Sequence, residues 1–382
     1  MNFLRIVSVG LAMFAMFFGS GNLVFPLVLG RQVGDQAWYA MIGFFLTAAV
    51  VPIIGVIATV LYDGDYKKFL GRMGTIPGAL IAMLCLALIG PFGIIPRCIT
   101  VAYASTKWYM PNVSLFVFSI LASIILAICT LRPTRVVELL GRFLGPIKLL
   151  LLAIFVAQGL MYVGVPAHTG YTPADSFVQG LLMGYGTLDL IGAIFFSGLI
   201  LASLRNAIGA SVTRKQLLSA AVQAGVLGAL LLGAVYAGFV AIAAFHGSKV
   251  LDVGPAEIFS ILSMVLLGSY AGALANATVA LATMTTAIAL TTVFAQYLSD
   301  DIFAKKLKYT WALFITLVIT VIFTNLGFVG IMKILGPIVE ICYPALIVLS
   351  ILNIAYKLFG FKPVKVPVYA TLAITIASKF FS

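Results

Sequence analysis

The chain has 382 residues, 63% of them hydrophobic and 9% charged, with a mean hydropathy of +1.17. No soluble globular domain carries that composition, so the chain reads as an all-α, polytopic membrane protein. The net charge of +12 does not point to nucleic acid, because the basic residues lie between apolar runs of membrane-spanning length.

About eleven spans are expected, near residues 6–30, 38–62, 76–106, 113–131, 144–165, 177–203, 217–245, 270–298, 309–327, 329–355 and 366–381. A shorter apolar stretch at 257–268 is too short to cross and reads as a partly inserted extracellular helix. No connecting segment has room for a nucleotide-binding domain, so transport driven by ATP hydrolysis on this chain is not expected. Cys85, Cys98, Cys129 and Cys342 all fall inside spans and read as small packing residues. The first apolar run follows Arg5 as a signal peptide would, but its length and the later spans make it an uncleaved helix.

The first span contains Phe17-Phe18-Gly19-Ser20-Gly21-Asn22-Leu23-Val24-Phe25-Pro26. Glycines around a serine, then asparagine and proline, are poor material for a continuous helix. At membrane depth, freed backbone groups are tolerated only where protein or a wet cavity shields them. The stretch reads as a broken helix that offers carbonyls one way and a helix N-terminus the other, which suits a small zwitterion and a cation. It also suits a glycine-rich packing face.

With the N-terminus inside, Arg5, Lys67, Lys68, Arg72, Arg132, Arg135, Arg142, Arg205, Arg214 and Lys215 fall on the cytoplasmic side. Lys305, Lys306, Lys308, Lys357, Lys362 and Lys365 join them. Only Arg31, Lys107, Lys249 and Lys379 fall outside, and Arg97, Lys148 and Lys333 lie within spans. The asymmetry orients the chain with a cytoplasmic N-terminus and an outer C-terminus in the plasma (inner) membrane.

Arg97 follows Pro91 and Pro96 in the third span and reads as a pore-side or partner-paired charge. Gly184-Tyr185-Gly186-Thr187 breaks the sixth span five spans after the first break, so the second copy is inverted relative to the first. The expected organisation is one repeat over 1–165, an inverted repeat over 166–355, and a short last helix over 356–382. Asp189 serves either a functional role or a cap on the second half-helix. In the eighth span, Thr285 and Thr286 stand one turn after Ala282. Their hydroxyls suit either the preceding turn's carbonyls or an oxygen cage for a monovalent cation. Lys333 and Glu340 share a face of the tenth span, where they suit a water path, a proton site, pairing with neighbouring helices or, for Lys333, snorkelling. His168 and His246 fall in outer loops. An intramembrane enzyme is disfavoured because Gly-x-Gly-Asp and a His cluster within a span are both missing. A channel is disfavoured because the polar residues gather at mid-depth.

Four segments resemble the branched-chain amino acid carriers of the BrnQ type, within the LeuT-like symporters. They are residues 14–26, Gly90-Pro91-Phe92-Gly93-Ile94-Ile95-Pro96-Arg97, Gly184-Tyr185-Gly186-Thr187-Leu188-Asp189, and 283–292, in the expected order. The resemblance implies a 5+5 inverted-repeat core with discontinuous helices 1 and 6, and cation-coupled uptake of leucine, isoleucine and valine. It implies a Na⁺ site built from the carbonyls of Ala15, Phe18 and Ala282 and the hydroxyls of Thr285 and Thr286. The substrate carboxylate would meet N–H groups at Ser20, Gly21 and Asn22. Its ammonium would meet carbonyls near Phe17, Gly184 and Tyr185, with Gly186 in the same turn. No cofactor beyond Na⁺ as coupling ion is implied; the partners are the amino acid, Na⁺ and the lipid bilayer. Such carriers usually have twelve helices, and Gln179 stands where the family tends to be acidic, which leaves proton coupling less supported.

Overall fold

A computed structural model describes residues 3–131, 133–161, 164–208 and 213–381. Arg132 of the inner set, and residues 162 and 163 of the fifth expected span, lie outside the described residues.

The first span is two helices, α1 (Phe3–Phe17) and α2 (Ser20–Val33). Gly19 between them is extended, and its N–H donates to Asn22 Oδ1 at 3.1 Å instead of to the Ala15 carbonyl one turn back. Pro26 then withholds an N–H from the Asn22 carbonyl. The second span joins α3 (Ala37–Phe45) to α4 (Val51–Val60) through a π-helical turn at Leu46–Val50, next to Pro52. A short α5 (Tyr66–Leu70), capped by Asp65, leads to the third span.

That span is expected as one element over 76–106. It is instead interrupted, as α6 (Thr75–Ile89) and α7 (Ile94–Thr106). Gly90-Pro91-Phe92-Gly93 supplies the cause: Pro91 has no ladder N–H, and a Cβ on Gly93 would lie 2.0 Å from the Leu88 carbonyl oxygen. Next come α8 (Leu115–Leu131) and α9 (Pro133–Met161). The sixth span is broken as expected, into α10 (Pro173–Tyr185) and α11 (Asp189–Ile208). Leu188 at this break has φ +62°, a left-handed conformation that a non-glycine residue keeps only where its surroundings hold it.

The seventh span is α12 (Arg214–Phe245), opened by a Thr213–Gln216 capping box. In α13 (Ile258–Tyr297) the backbone departs from helix at Gly268, with φ +77°. Residues 258–267 fold back there, so that Asn276 donates to the Ser260 carbonyl (3.3 Å) and Ser263 Oγ (3.2 Å). Then follow α14 (Tyr309–Thr324), α15 (Gly327–Phe359) and α16 (Lys365–Phe381). Among the described residues, six helical stretches are long and apolar enough to cross a membrane, and four shorter apolar helices accompany them.

The helices pack in two groups. In one, α12 lies against α1 and α2, α10 against α3, and α11 against α4. In the other, α13 lies against α7 and α9, and α14 against α8. The first group packs through bare backbone: a Cβ on Gly180 would stand 2.0 Å from the Ala40 carbonyl oxygen. Gly184, expected at the substrate, belongs to the same seam, because a Cβ there would fall 1.9 Å from Thr47 Oγ1.

Candidate functional site

Three helix breaks converge on one enclosed cavity of about 30 Å³. Phe17, Gly19, Ser20, Gly21 and Asn22 line it from the first break, Ile89 and Ile94 from the ends of the third-span break, and Thr187, Leu188 and Asp189 from the second broken helix. Arg97 and Thr286 complete its polar wall. The first-turn N–H groups of α2 have no partner within their own helix, so this end of the helix presents donors and a positive dipole end.

Asn22, 1% exposed, joins the two broken helices. Its Nδ2 donates to Asp189 Oδ2 and to the hydroxyl of Tyr236 on α12, both at 2.5 Å, while its Oδ1 holds Gly19 N–H. Asp189 stands at the N-terminus of α11, where the helix dipole favours a carboxylate. The cap expected of that carboxylate is not its role here, since its side-chain partner is Asn22 across the cavity. The orphan N–H of Leu190 in the same turn donates to Tyr343 Oη at 3.0 Å.

Arg97 is buried on α7 and donates from Nη1 to the Gly186 carbonyl at 2.7 Å. Its guanidinium lies 5.5 Å from the centroid of Phe25. Next to these residues, α2, α10 and α15 line a second, more open cavity of about 350 Å³, walled by Phe25, Gln179, Tyr185, Gly186, Phe328 and Met332. The ring centroids of Phe25 and Phe328 lie 6.0 Å apart, with the rings tilted by 56°.

The expected substrate residues therefore separate. Phe17, Ser20, Gly21 and Asn22 line the central cavity, Tyr185 and Gly186 line the larger one, and Gly184 lines neither. The Gly184 carbonyl accepts from Thr187 N–H and Oγ1, and that of Tyr185 accepts from Leu188 N–H, so the turn itself uses both. Of the expected ion ligands, Thr285 and Thr286 both donate to the Ala282 carbonyl, at 2.8 and 3.2 Å. Thr286 reaches the first break, its Cγ2 lying 3.7 Å from where a Cβ on Gly19 would sit. The Phe18 carbonyl accepts from Lys148 Nζ on α9 at 3.0 Å, and this ammonium also sits 4.9 Å from the Phe18 ring centroid.

Sequence reasoning noted Arg97 and Lys148 as charges at membrane depth without finding their partners. It had no signal for Tyr236 or Tyr343, which are aromatic residues in apolar helices. Glu340 pairs with Lys379 on the neighbouring helix α16, which is one of the roles expected of it. His246, expected in an outer loop, follows the last residue of α12 and is buried against the Gly159 carbonyl.

Broken helices meeting at a buried polar cavity inside an all-helical membrane fold define a LeuT-like membrane transporter. Among solved structures the chain is similar to Mhp1 in its inward-facing conformation, with a TM-score of 0.68 and 15% identity over 92% of this chain and 77% of that one. It is also similar to a Na⁺-coupled sialic acid symporter in a substrate-bound outward-open state, with a TM-score of 0.62 and 12% identity over 97% and 88%. At those identities the likeness shows the fold alone. The model of the family described as "Branched-chain amino acid transport protein" matches residues 3–380, and the chain belongs to that family. It is 31% identical over 372 residues to the branched-chain amino acid permease BrnQ of Bacillus subtilis, covering 93% of this chain and 82% of the relative. It is 30% identical over 364 residues to the branched-chain amino acid transport system 3 carrier protein of Pseudomonas aeruginosa, covering 93% and 81%. These relatives are permeases and carriers, and the chain is a transporter, not an enzyme.

Proposed function

We propose that this chain is a secondary active carrier that brings leucine, isoleucine and valine into the cell by alternating access, coupled to a cation. The observation that carries this reading is the Asn22–Asp189 bridge between the two broken helices, beside the first-turn amides of α2 and a wall of aliphatic side chains. The amides of Ser20, Gly21 and Asn22 would take the substrate carboxylate, and the aliphatic wall its side chain. The helices of the two repeats, 1–165 and 166–355, would work as a moving group of spans 1, 2, 6 and 7 against the rest. The division of packing contacts supports that partition. With the N-terminus in the cytoplasm, the larger cavity would be the outer vestibule.

Sodium is the coupling ion that the resemblance implies, held by Ala15, Phe18, Ala282, Thr285 and Thr286. The extended turn at Gly19 supports it, because the turn leaves the Ala15 carbonyl without the Gly19 N–H and Thr286 packs against Gly19 itself. One contact favours a second reading, a carrier that works without sodium: the Lys148 ammonium already bonds the Phe18 carbonyl. Leucine uptake into liposomes separates the two, with the proton gradient held constant and sodium removed. Lost uptake supports the sodium site; unchanged uptake overturns it and leaves the lysine reading. A purified protein that neither binds nor accumulates leucine under any gradient overturns the carrier itself.

A further inference from the structure

The Arg97 side chain uses one edge and leaves the other free. Nη1 donates to Gly186 O, whereas Nε and Nη2 are buried without a hydrogen-bond partner. Those two groups form one edge of the planar guanidinium, the edge whose parallel N–H bonds fit both oxygens of a carboxylate. Leaving such donors unpaired at 1% exposure is costly. Their side chain lines the same cavity as the N-terminus of α2 and as Asp189. Asp189 is itself 5% exposed and is an acid where Arg97 is a base.

We infer that Arg97 and Asp189 hold the two ends of a zwitterionic amino acid, with the Arg97 Nε/Nη2 edge on its carboxylate and Asp189 on its ammonium. The inference rests on the carrier reading above and changes its chemistry. The carboxylate meets a fixed fork in addition to the α2 amides. The ammonium meets a carboxylate where the Gly184 and Tyr185 carbonyls are already engaged. A zwitterion adds one charge of each sign to a site holding one of each, so no buried ion is left unmatched. A solute that lacks either charge leaves Arg97 or Asp189 facing an uncharged group in a buried cavity, which is the strong form of discrimination. Ile89, Ile94 and Leu290 then supply the wall for an aliphatic side chain.

The test uses the purified full chain and four solutes: leucine, leucinol and leucinamide, which lack the anionic oxygens, and 4-methylpentanoate, which lacks the ammonium. Wild type is expected to bind leucine roughly 10- to 100-fold more tightly than any of the other three, the range for one charged hydrogen-bonded contact. Arg97→Gln, and Arg97→Lys as the charge-retaining variant, should weaken leucine by a similar factor while leaving leucinol unchanged. Asp189→Asn should weaken leucine while leaving 4-methylpentanoate unchanged. If Arg97→Gln or Arg97→Lys weakens leucine and leucinol equally, or neither, Arg97 serves only to hold Gly186 and the inference fails. Should the variants not fold, wild type still tests the fork, because leucinol or leucinamide binding as tightly as leucine overturns it. If wild type binds no leucine, it is the carrier reading that has failed.

Discussion

The Asn22–Asp189 bond makes a claim about energy as well as geometry. Asn22→Ala removes two donated bonds and one accepted bond, and it leaves a buried carboxylate, a tyrosine hydroxyl and the Gly19 N–H short of partners. In water-soluble proteins a hydrogen bond to a charged group is worth about 1.5–3 kcal/mol. Inside a membrane protein the unfolded reference state finds partners too, and interhelical bonds average only about 0.6 kcal/mol, with a maximum near 1.7. Burial on both sides and a charged acceptor place this pair at the upper end, so a coupling energy of about 1–1.7 kcal/mol is expected. The assay is a double-mutant cycle of Asn22→Ala and Asp189→Ala, with stability read from unfolding in mixed detergent and SDS micelles. Each single variant should lower stability, and the double variant should cost less than their sum by the coupling energy. Additivity within about 0.3 kcal/mol, the behaviour of sites that do not touch, would refute the bridge.

Four other outcomes follow from the same geometry. Gly21→Leu should abolish leucine binding in a folded protein, because a Cβ there already stands 3.1 Å from the Thr187 backbone and the rest of the side chain must enter the cavity; retained binding would move the substrate elsewhere. Thr286→Val should weaken sodium activation of leucine binding without unfolding the chain, and normal activation counts against the cation site. Gly180→Ala should destabilise by about 2–4 kcal/mol through overpacking against the Ala40 carbonyl, with a thermal shift as the check. Lys107 at the end of α7 is raised above its ordinary range by its hydrogen bond to Glu257. That contact's contribution should therefore be constant up to the ordinary lysine range and disappear as pH rises beyond it, and Lys107→Ala should remove this alkaline dependence.

The breaks in the first and sixth spans were legible because glycine, asparagine and proline cluster within a few residues, and no continuous helix uses them well. The third break carried a similar signal in Gly90-Pro91-Phe92-Gly93 and was read through, because prolines are often tolerated within membrane helices. Arg97 and Lys148 were visible as costly charges, yet their partners are backbone carbonyls 89 and 130 residues away, and a carbonyl has no sequence signature. Gly184 misled for a related reason. A glycine that opens a turn and one that admits a neighbouring hydroxyl look identical until Thr47 is placed against it.

Those two buried cations repeat one arrangement. Lys148 on α9 donates to Phe18, the residue just after α1; Arg97 on α7 donates to Gly186, the residue just after α10. Each carbonyl is at the C-terminal end of a half-helix, the negative end of its dipole, where a positive group is favoured. Both basic residues belong to helices that pack around α13, and both carbonyls belong to helices packed with α3 or α12. In the proposed cycle, movement of one group against the other must stretch or re-form these bonds at both breaks. The carboxylate of a bound amino acid and a coupling cation would act on the same two groups: the first through the free edge of Arg97, the second through the Phe18 carbonyl that Lys148 now holds. Solute and ion would thus be linked through the contacts that hold the moving helices to the fixed ones, with no need for the two to touch.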